Sequence, residues 1–198
     1  MSDKFKGKYR NESARLQNWD YGSNAAYFIT ICTKDREHYL GEIINHKMQV
    51  SPAGGIAHVL WYEIKNHAKN IELGEFVVMP NHIHGILILN GNNAGIWDGV
   101  VGTTHALSLQ SITIPPIDAG HTLSTPGQQR FQNQGKNTIS SIVGSYKSAV
   151  TKYCNRLGFD FSWQPRFHDH IIRDDKSFQN IKNYICENPE KWQDDKFY

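Results

Sequence analysis

The sequence predicts an α+β fold, an antiparallel sheet with flanking helices in a ferredoxin-like or RRM-like arrangement. Three observations predict it. Short runs rich in β-branched and aromatic residues recur along the chain. Between them lie stretches whose apolar residues fall at helical spacing. The two kinds interleave in the order strand, strand, helix, strand, strand, helix, strand, helix.

The elements follow in order. Residues 26–33 (AYFITICT) are apolar on both alternating faces, as a central strand requires. A short strand is expected over Met48–Val50. Ser51 and Pro52 start a helix reaching about Ala68, with Ile56, Val59, Leu60 and Ile64 as its buried stripe. Glu75–Met79 and His82–Leu89 are strands joined by a tight Pro80-Asn81 turn. Asn137 or Thr138 caps a long helix to about Leu157, with a stripe of Ile139, Ile142, Val143, Tyr146, Val150 and Tyr153. A short strand over His170–Arg173 precedes a last helix from about Ser177 to Glu187, which Pro189 helps to stop.

Residues 91–137 break this pattern. They hold four charged residues (Asp98, Asp118, Arg130 and Lys136), seven Gly and three Pro, and show no sustained period. Such a stretch buries too little apolar surface to offset its ordering entropy. It is expected to be a flexible insertion within a single domain spanning 1–198, leaving 151 residues for the folded unit.

Composition excludes several classes. No apolar run approaches the ~20 residues of a membrane span. Aromatics are 12% and the net charge is +2, so the chain is neither a disordered polyelectrolyte nor a basic protein that holds nucleic acid by bulk charge. The three cysteines are far apart and odd in number, which suits a reducing compartment and no disulfide framework. The polar, basic N-terminal segment lacks the apolar core of a secretory signal. The expected location is the cytoplasm, in association with the nucleoid.

His82-Ile83-His84 is the first candidate site. Residues i and i+2 of a strand face the same way, so the two imidazoles project together while Ile83 points into the core. With ten His in the chain, about 0.5 such triplets arise by chance. There are two, the other being His168-Asp169-His170. His82 and His84 open a strongly apolar strand directly after a turn, where a sheet presents a rigid pair. The second triplet reads either as a loop satisfied by local hydrogen bonds or as a supporting site for DNA.

Tyr184 and Asn188 are i and i+4 on the last helix and share a face, with Phe178, Ile181 and Ile185 alongside. Tyr184 is open to two readings, a core-edge residue or a nucleophile. A phenol with its free pKa of ~10 is a weak nucleophile unless a metal and a polarised phosphate assist it.

Five segments carry a resemblance when taken together. They are YFITICTKDR (27–36), FVVMPNHIHG (76–85), SIVGSYKSAV (141–150), WQPRFHDHIIR (163–173) and YICENPEKW (184–192). The chain resembles the single-tyrosine HUH transposases of insertion-sequence type, and within them the REP-associated tyrosine transposases, from about residue 5 to 195 outside the insertion. The order and spacing of MPNHIHG and YIxxNPxxW make the resemblance specific.

That resemblance implies the HUH endonuclease fold and a single-strand DNA cleavage and rejoining reaction beside a hairpin. It implies that His82, His84 and Asn188 hold Mg²⁺ or Mn²⁺. It further implies that Tyr184 attacks the scissile phosphodiester, leaving a 5′-phosphotyrosine and a free 3′-hydroxyl, and that a second 3′-hydroxyl rejoins the strand. The partner would be hairpin-containing single-stranded DNA, REP-like or from transposon ends. Insertion-sequence relatives act as dimers with the tyrosine in trans and REP-associated ones as monomers, so monomer and homodimer both stay open. Metal charge and in-line positioning suit phosphoryl transfer. A covalent intermediate needs no ATP, and the chain has no GxxxxGK[ST] loop.

Candidate DNA contacts are Lys8, Arg10 and Arg15 near the N-terminus, Lys147 and Lys152 on the long helix, and Arg166, His168, His170 and Arg173 around the second triplet. Tyr9, Trp19 and Tyr21 suit either base stacking or core packing. The alternative function is a catalytically degenerate or domesticated protein that holds REP-type hairpins without cutting. A metal hydrolase on a TIM barrel is excluded by length, since that fold takes ~250 residues.

Overall fold

The computed structural model describes Trp19 and residues 21–90 and 138–198. The predicted insertion over 91–137 and the basic residues Lys8, Arg10 and Arg15, with Tyr9, lie outside the described residues.

Among the described residues nine strands and α-helices follow in order: β1 (Ala25–Cys32), β2 (Gly41–Ile44), β3 (Lys47–Val50), α1 (Pro52–His67), β4 (Ile71–Val78), β5 (His82–Leu89), α2 (Ile139–Arg156), β6 (His168–Ile172) and α3 (Asp175–Glu187). Short 3₁₀ turns occupy Lys34–Arg36 and Trp192–Asp194. The main sheet has the order β4-β5-β1-β6, and every neighbouring pair is antiparallel. Leaving out the small β2–β3 hairpin, the chain runs β1-α1-β4-β5-α2-β6, the split βαβ arrangement of ferredoxin-like folds. The expected α+β class and its antiparallel sheet are what the chain adopts.

One sheet face packs on α1 and α2. Tyr27, Ile29, Ile31, Ile83 and Leu87 meet Ala57, Trp61, Val143, Tyr146 and Val150 there in the larger core. Tyr146 Oη donates to the Ala57 carbonyl at 2.8 Å and ties the two helices together. The other face carries α3 over a smaller cluster of Ala26, Ile86, Ile172, Phe178 and Ile185. Trp19 and Tyr21 pack against the larger core, and Trp19 Nε1 donates to Tyr27 Oη at 3.0 Å.

Strand β4 begins at Ile71, four residues earlier than expected, and four further details differ from the sequence expectations. The α1 stripe is rotated: Ala53, Ala57, Trp61 and Ile64 are buried, whereas Val59 is 60% exposed. The cause is Trp61, whose ring stacks on Phe76 at 4.5 Å and lies against Gly85, where an added Cβ would sit 2.3 Å from its Cζ2. A flat indole seated on a glycine draws its helical face inward. At the end of α2, Cys154, which continues the i, i+4 row of Tyr146 and Val150, is buried in place of Tyr153, which is 46% exposed. Strand β2 was not expected; it pairs with β3 through Asn45 and His46, both at positive φ (50° and 61°), as a two-residue hairpin turn requires. Strand β6 begins two residues earlier than expected, so His168 and His170 both belong to it.

Candidate active site

The site is built on the face opposite the larger core. His82 and His84 open β5 and pair in register with Cys32 and Thr30 of β1. Both imidazoles are fully buried, their centroids are 4.4 Å apart, and Ile83 between them points into the larger core. Each ring is fixed from behind. Asn81 spends its amide N–H on the Phe197 carbonyl at 2.8 Å and turns its Oδ1 to His82 Nδ1 at 2.9 Å. His82 Nδ1 therefore carries the hydrogen, and the lone pair is on Nε2. His82 Nε2 is buried with no hydrogen-bond partner. His84 Nδ1 lies 2.8 Å from Thr30 Oγ1, a hydroxyl that can donate to it or accept from it.

Helix α3 brings the tyrosine. The Asp174 carboxylate caps it by accepting from Ser177 N at 2.7 Å, and Phe178 and Ile185 clamp it to the sheet beside Phe28 and Ile86. One face of the helix then presents Tyr184 and Asn188 to the histidines. Tyr184 Oη is 3.2 Å from His84 Nε2, and its ring meets Phe28 edge-on at 6.1 Å. Asn188 is buried, and its Oδ1 has no partner.

The chain then turns back over the site. Trp192 packs beside His82 at 5.9 Å, and the Phe197 ring lies 4.8 Å from His82 and 5.7 Å from His84. Arg36 and Lys196 sit over the same phenyl ring at 4.4 and 4.7 Å. Between these aromatics, Asp195 Oδ2 accepts from Tyr184 Oη and from Asn188 Nδ2, each at 2.7 Å, while its Oδ1 accepts from Phe197 N. One ligand atom from each of His82, His84 and Asp195 falls within a 4.8 Å span.

Burial sets the protonation pattern. His82 is lowered to about 4 chiefly by burial, with Arg36 and Lys196 acting in the same direction against Asp195. His84 is held well below its ordinary value by burial and by His82. Both imidazoles are thus neutral near pH 7, as ligands must be. Tyr184 is raised, first by burial and then by its hydrogen bond to Asp195. Burial would raise Asp195, but hydrogen bonds from Tyr184, Asn188 and Phe197 N–H outweigh it and lower the carboxyl. Two buried imidazoles, a buried amide with a free oxygen and a carboxylate form a mixed N/O donor set of the kind that holds divalent transition ions.

Comparison with known proteins places this architecture. No protein-family model matches the chain. An uncharacterized protein of Haemophilus influenzae is 34% identical over 194 residues, covering 97% of this chain and 95% of that protein. The chain belongs to the family of that protein. Among solved structures, a REP-associated tyrosine transposase bound to a REP hairpin superposes with a TM-score of 0.54 at 20% identity, covering 92% of this chain and 74% of the other. The two share the fold, an antiparallel sheet with helices on both faces.

Within this fold the remaining expected residues separate. His168 and His170 are exposed on edge strand β6, paired with Thr30 and Phe28 of β1. Paired residues share a face, so both point to the side that carries His84: His168 lies level with His84 across Thr30, and His170 lies two residues along. Arg166 and Arg173 are exposed at either end of that strand. Lys147 is half-buried, its Nζ donating to the carbonyls of Gln164 and Arg166, and burial lowers its pKa. Lys152 is exposed one turn on and lines the same surface groove as Lys147, Trp163 and Gln164.

Sequence reasoning missed Thr30, Asn81 and Asp195. Thr30 had a signal, as the one aliphatic hydroxyl in an otherwise apolar and aromatic strand. Asn81 was legible only as a turn residue. Asp195 sits in the polar run QDDK, which reads as solvated charge until the chain is seen to fold back.

Proposed function

We propose that the protein is a metal-dependent DNA transposase that cuts and rejoins hairpin-containing single-stranded DNA through Tyr184. The observation that carries this reading is the meeting, within one chain, of the Tyr184 hydroxyl and the His84 imidazole at 3.2 Å across a hundred residues of sequence. The likeness in fold to a transposase bound to a REP hairpin supports the same substrate class.

The donors fit a divalent ion. His82 Nε2 and Asn188 Oδ1 are buried polar atoms without partners, which a native site retains at a cost unless something binds them. His82, His84 and Asn188 would hold Mg²⁺ or Mn²⁺; imidazoles favour Mn²⁺, and the amide oxygen makes the set harder. When bound, the ion supplies Lewis-acid polarisation of a phosphate oxygen.

The chain's own residues do the rest. Tyr184 Oη attacks the scissile phosphorus, a P–O bond to the tyrosine forms, the bond to the 3′-oxygen breaks, and a proton equivalent to the one lost by the phenol completes the free 3′-hydroxyl. The 5′-phosphotyrosine keeps the bond energy for a second 3′-hydroxyl to rejoin the strand. Asn81 and Thr30 orient the imidazoles from behind. His168 and His170, on the same sheet face, with Arg166 and Arg173, would guide the strand toward Tyr184. Lys147 and Lys152, and Lys8, Arg10 and Arg15 outside the described residues, are further phosphate contacts in this reading. In the arrangement described, the Phe197 ring covers both imidazoles, so a phosphodiester reaches them only after that ring shifts.

The test is a covalent-adduct assay with labelled hairpin single-stranded DNA and Mn²⁺ or Mg²⁺. A protein-linked, denaturation-resistant product is expected. Hairpin retention without cleavage across both metals would instead identify a binding protein.

A further inference from the structure

Asp195 is the part of this cluster that the metal reading does not yet use. Its Oδ2 accepts from Tyr184 Oη and Asn188 Nδ2, and one oxygen of the carboxylate falls within the 4.8 Å span that also holds one nitrogen each of His82 and His84. Two further observations point to a ligand rather than to a solvated surface acid. His82 Nε2 and Asn188 Oδ1, fully and almost fully buried, have no partner. The carboxylate is also fixed at its other oxygen, which accepts from Phe197 N at 2.7 Å.

The single phenolic proton of Tyr184 goes to Asp195, so at His84 the phenol oxygen accepts and Nε2 donates. This clasp therefore engages at once the nucleophile and two of the atoms a cation would need. Cation binding and the clasp exclude one another at His84 Nε2. Thr30 can satisfy either tautomer of that ring, so the exchange leaves no buried atom stranded behind it.

Resting on the metal reading above, we infer that Asp195 is a further ligand of the same cation, and that it exchanges its hydrogen bond from Tyr184 for the ion. Asp195 keeps its bond from Asn188 Nδ2, which aims the Asn188 Oδ1 at the same centre. Loading the site then frees the Tyr184 hydroxyl for the phosphate, so the nucleophile is released only where the metal is present. The carboxylate also adds a hard oxygen to two imidazoles, the ligand type that Mg²⁺ requires.

Mn²⁺ affinity of the full chain, read by electron paramagnetic resonance of free Mn²⁺ without DNA, tests this. Asp195→Asn keeps the shape while removing the charge and one acceptor oxygen, and should weaken binding at least about tenfold, the lower end of what is lost when only a ligand's supporting partner is removed. Asp194→Asn makes the same charge change next door at an exposed residue and should leave affinity unchanged. Tyr184→Phe removes the competitor for Asp195 and should tighten Mn²⁺ severalfold. Equal affinity in Asp195→Asn and wild type, an equal loss in Asp194→Asn, or weaker binding in Tyr184→Phe overturns the inference while leaving the metal reading standing. Wild type without Mn²⁺ affinity, or His82→Ala binding as wild type does, overturns the metal reading and the inference with it.

Discussion

The hydroxyl of Tyr184 donates to Asp195 Oδ2 at 2.7 Å while its oxygen stands 3.2 Å from His84 Nε2, so the residue proposed as nucleophile is held between a metal-ligand candidate and a carboxylate. Its ring contacts, to Phe28 at 6.1 Å and His84 at 5.3 Å, do not depend on the hydroxyl. Tyr184→Phe is therefore expected to fold with the wild-type circular dichroism spectrum and to form no covalent adduct with hairpin DNA. An adduct that persists in this variant would remove Tyr184 from the nucleophile role.

Thr30 acts through His84. Thr30→Val keeps the shape of a buried side chain but strips the partner from His84 Nδ1. Loss of an outer partner typically lowers metal affinity about 10–100-fold. Calorimetric titration with Mn²⁺ should show that loss with the binding stoichiometry unchanged. Unaltered affinity would mean that packing alone orients the ring.

The neutral histidines make apo-protein stability depend on pH. His82 is lowered to about 4 by burial, and His84 moves the same way. The unfolded chain protonates these imidazoles near pH 6.5. Below that value the unfolded state binds more protons than the native one, so stability falls as pH drops from about 6.5 to about 4. The loss attributable to His82 is on the order of 3 kcal/mol. Asp195, lowered from 3.8, adds a further loss only in stronger acid. Urea unfolding with a chelator present should show a lower midpoint at pH 4.5 than at pH 7, and a smaller difference in His82→Gln. Identical midpoints in wild type at both pH values would contradict the buried, neutral assignment.

Gly85 is a packing requirement of the strand that carries the histidines. A Cβ there would lie 2.3 Å from Trp61 Cζ2, and the indole is wedged against Phe76 and Tyr146. Gly85→Ala should cost about 1–3 kcal/mol, as overpacking of a tight core does. Chemical denaturation measures it directly. A neutral substitution would show that Trp61 has room to move.

Phe197 stands over the imidazoles with its carbonyl held by Asn81. Phe197→Ala should raise the rate of adduct formation with hairpin DNA while leaving Mn²⁺ affinity within about twofold, since it removes a cover and no ligand atom. A slower rate at unchanged metal affinity would assign the ring a part in holding DNA instead.

The sequence by itself determined the elements that bear the chemistry. Alternation within His82–Leu89 sends His82 and His84 to one face and Ile83 to the other, and the four-residue step from Tyr184 to Asn188 places both on one helical face; each follows from the period of a single element. The β2–β3 hairpin was hidden because its turn is Asn45-His46, which lacks the glycine that usually marks such a turn. The inward face of α1 was hidden because Trp61 outweighs the simple apolar count through its fit on Gly85.

Only the tertiary structure decided that the two faces meet. Residues a hundred positions apart come within 3.2 Å because Phe178 and Ile185 bury themselves against Phe28, Ile86 and Ile172, and no local period encodes that docking. The same holds for Asp195. Its carboxylate reaches the site because Trp192 and Phe197 pack on the imidazole rings and carry the intervening chain with them. Burial of aromatic surface, a long-range and non-directional force, thus converts separate side-chain patterns into one site.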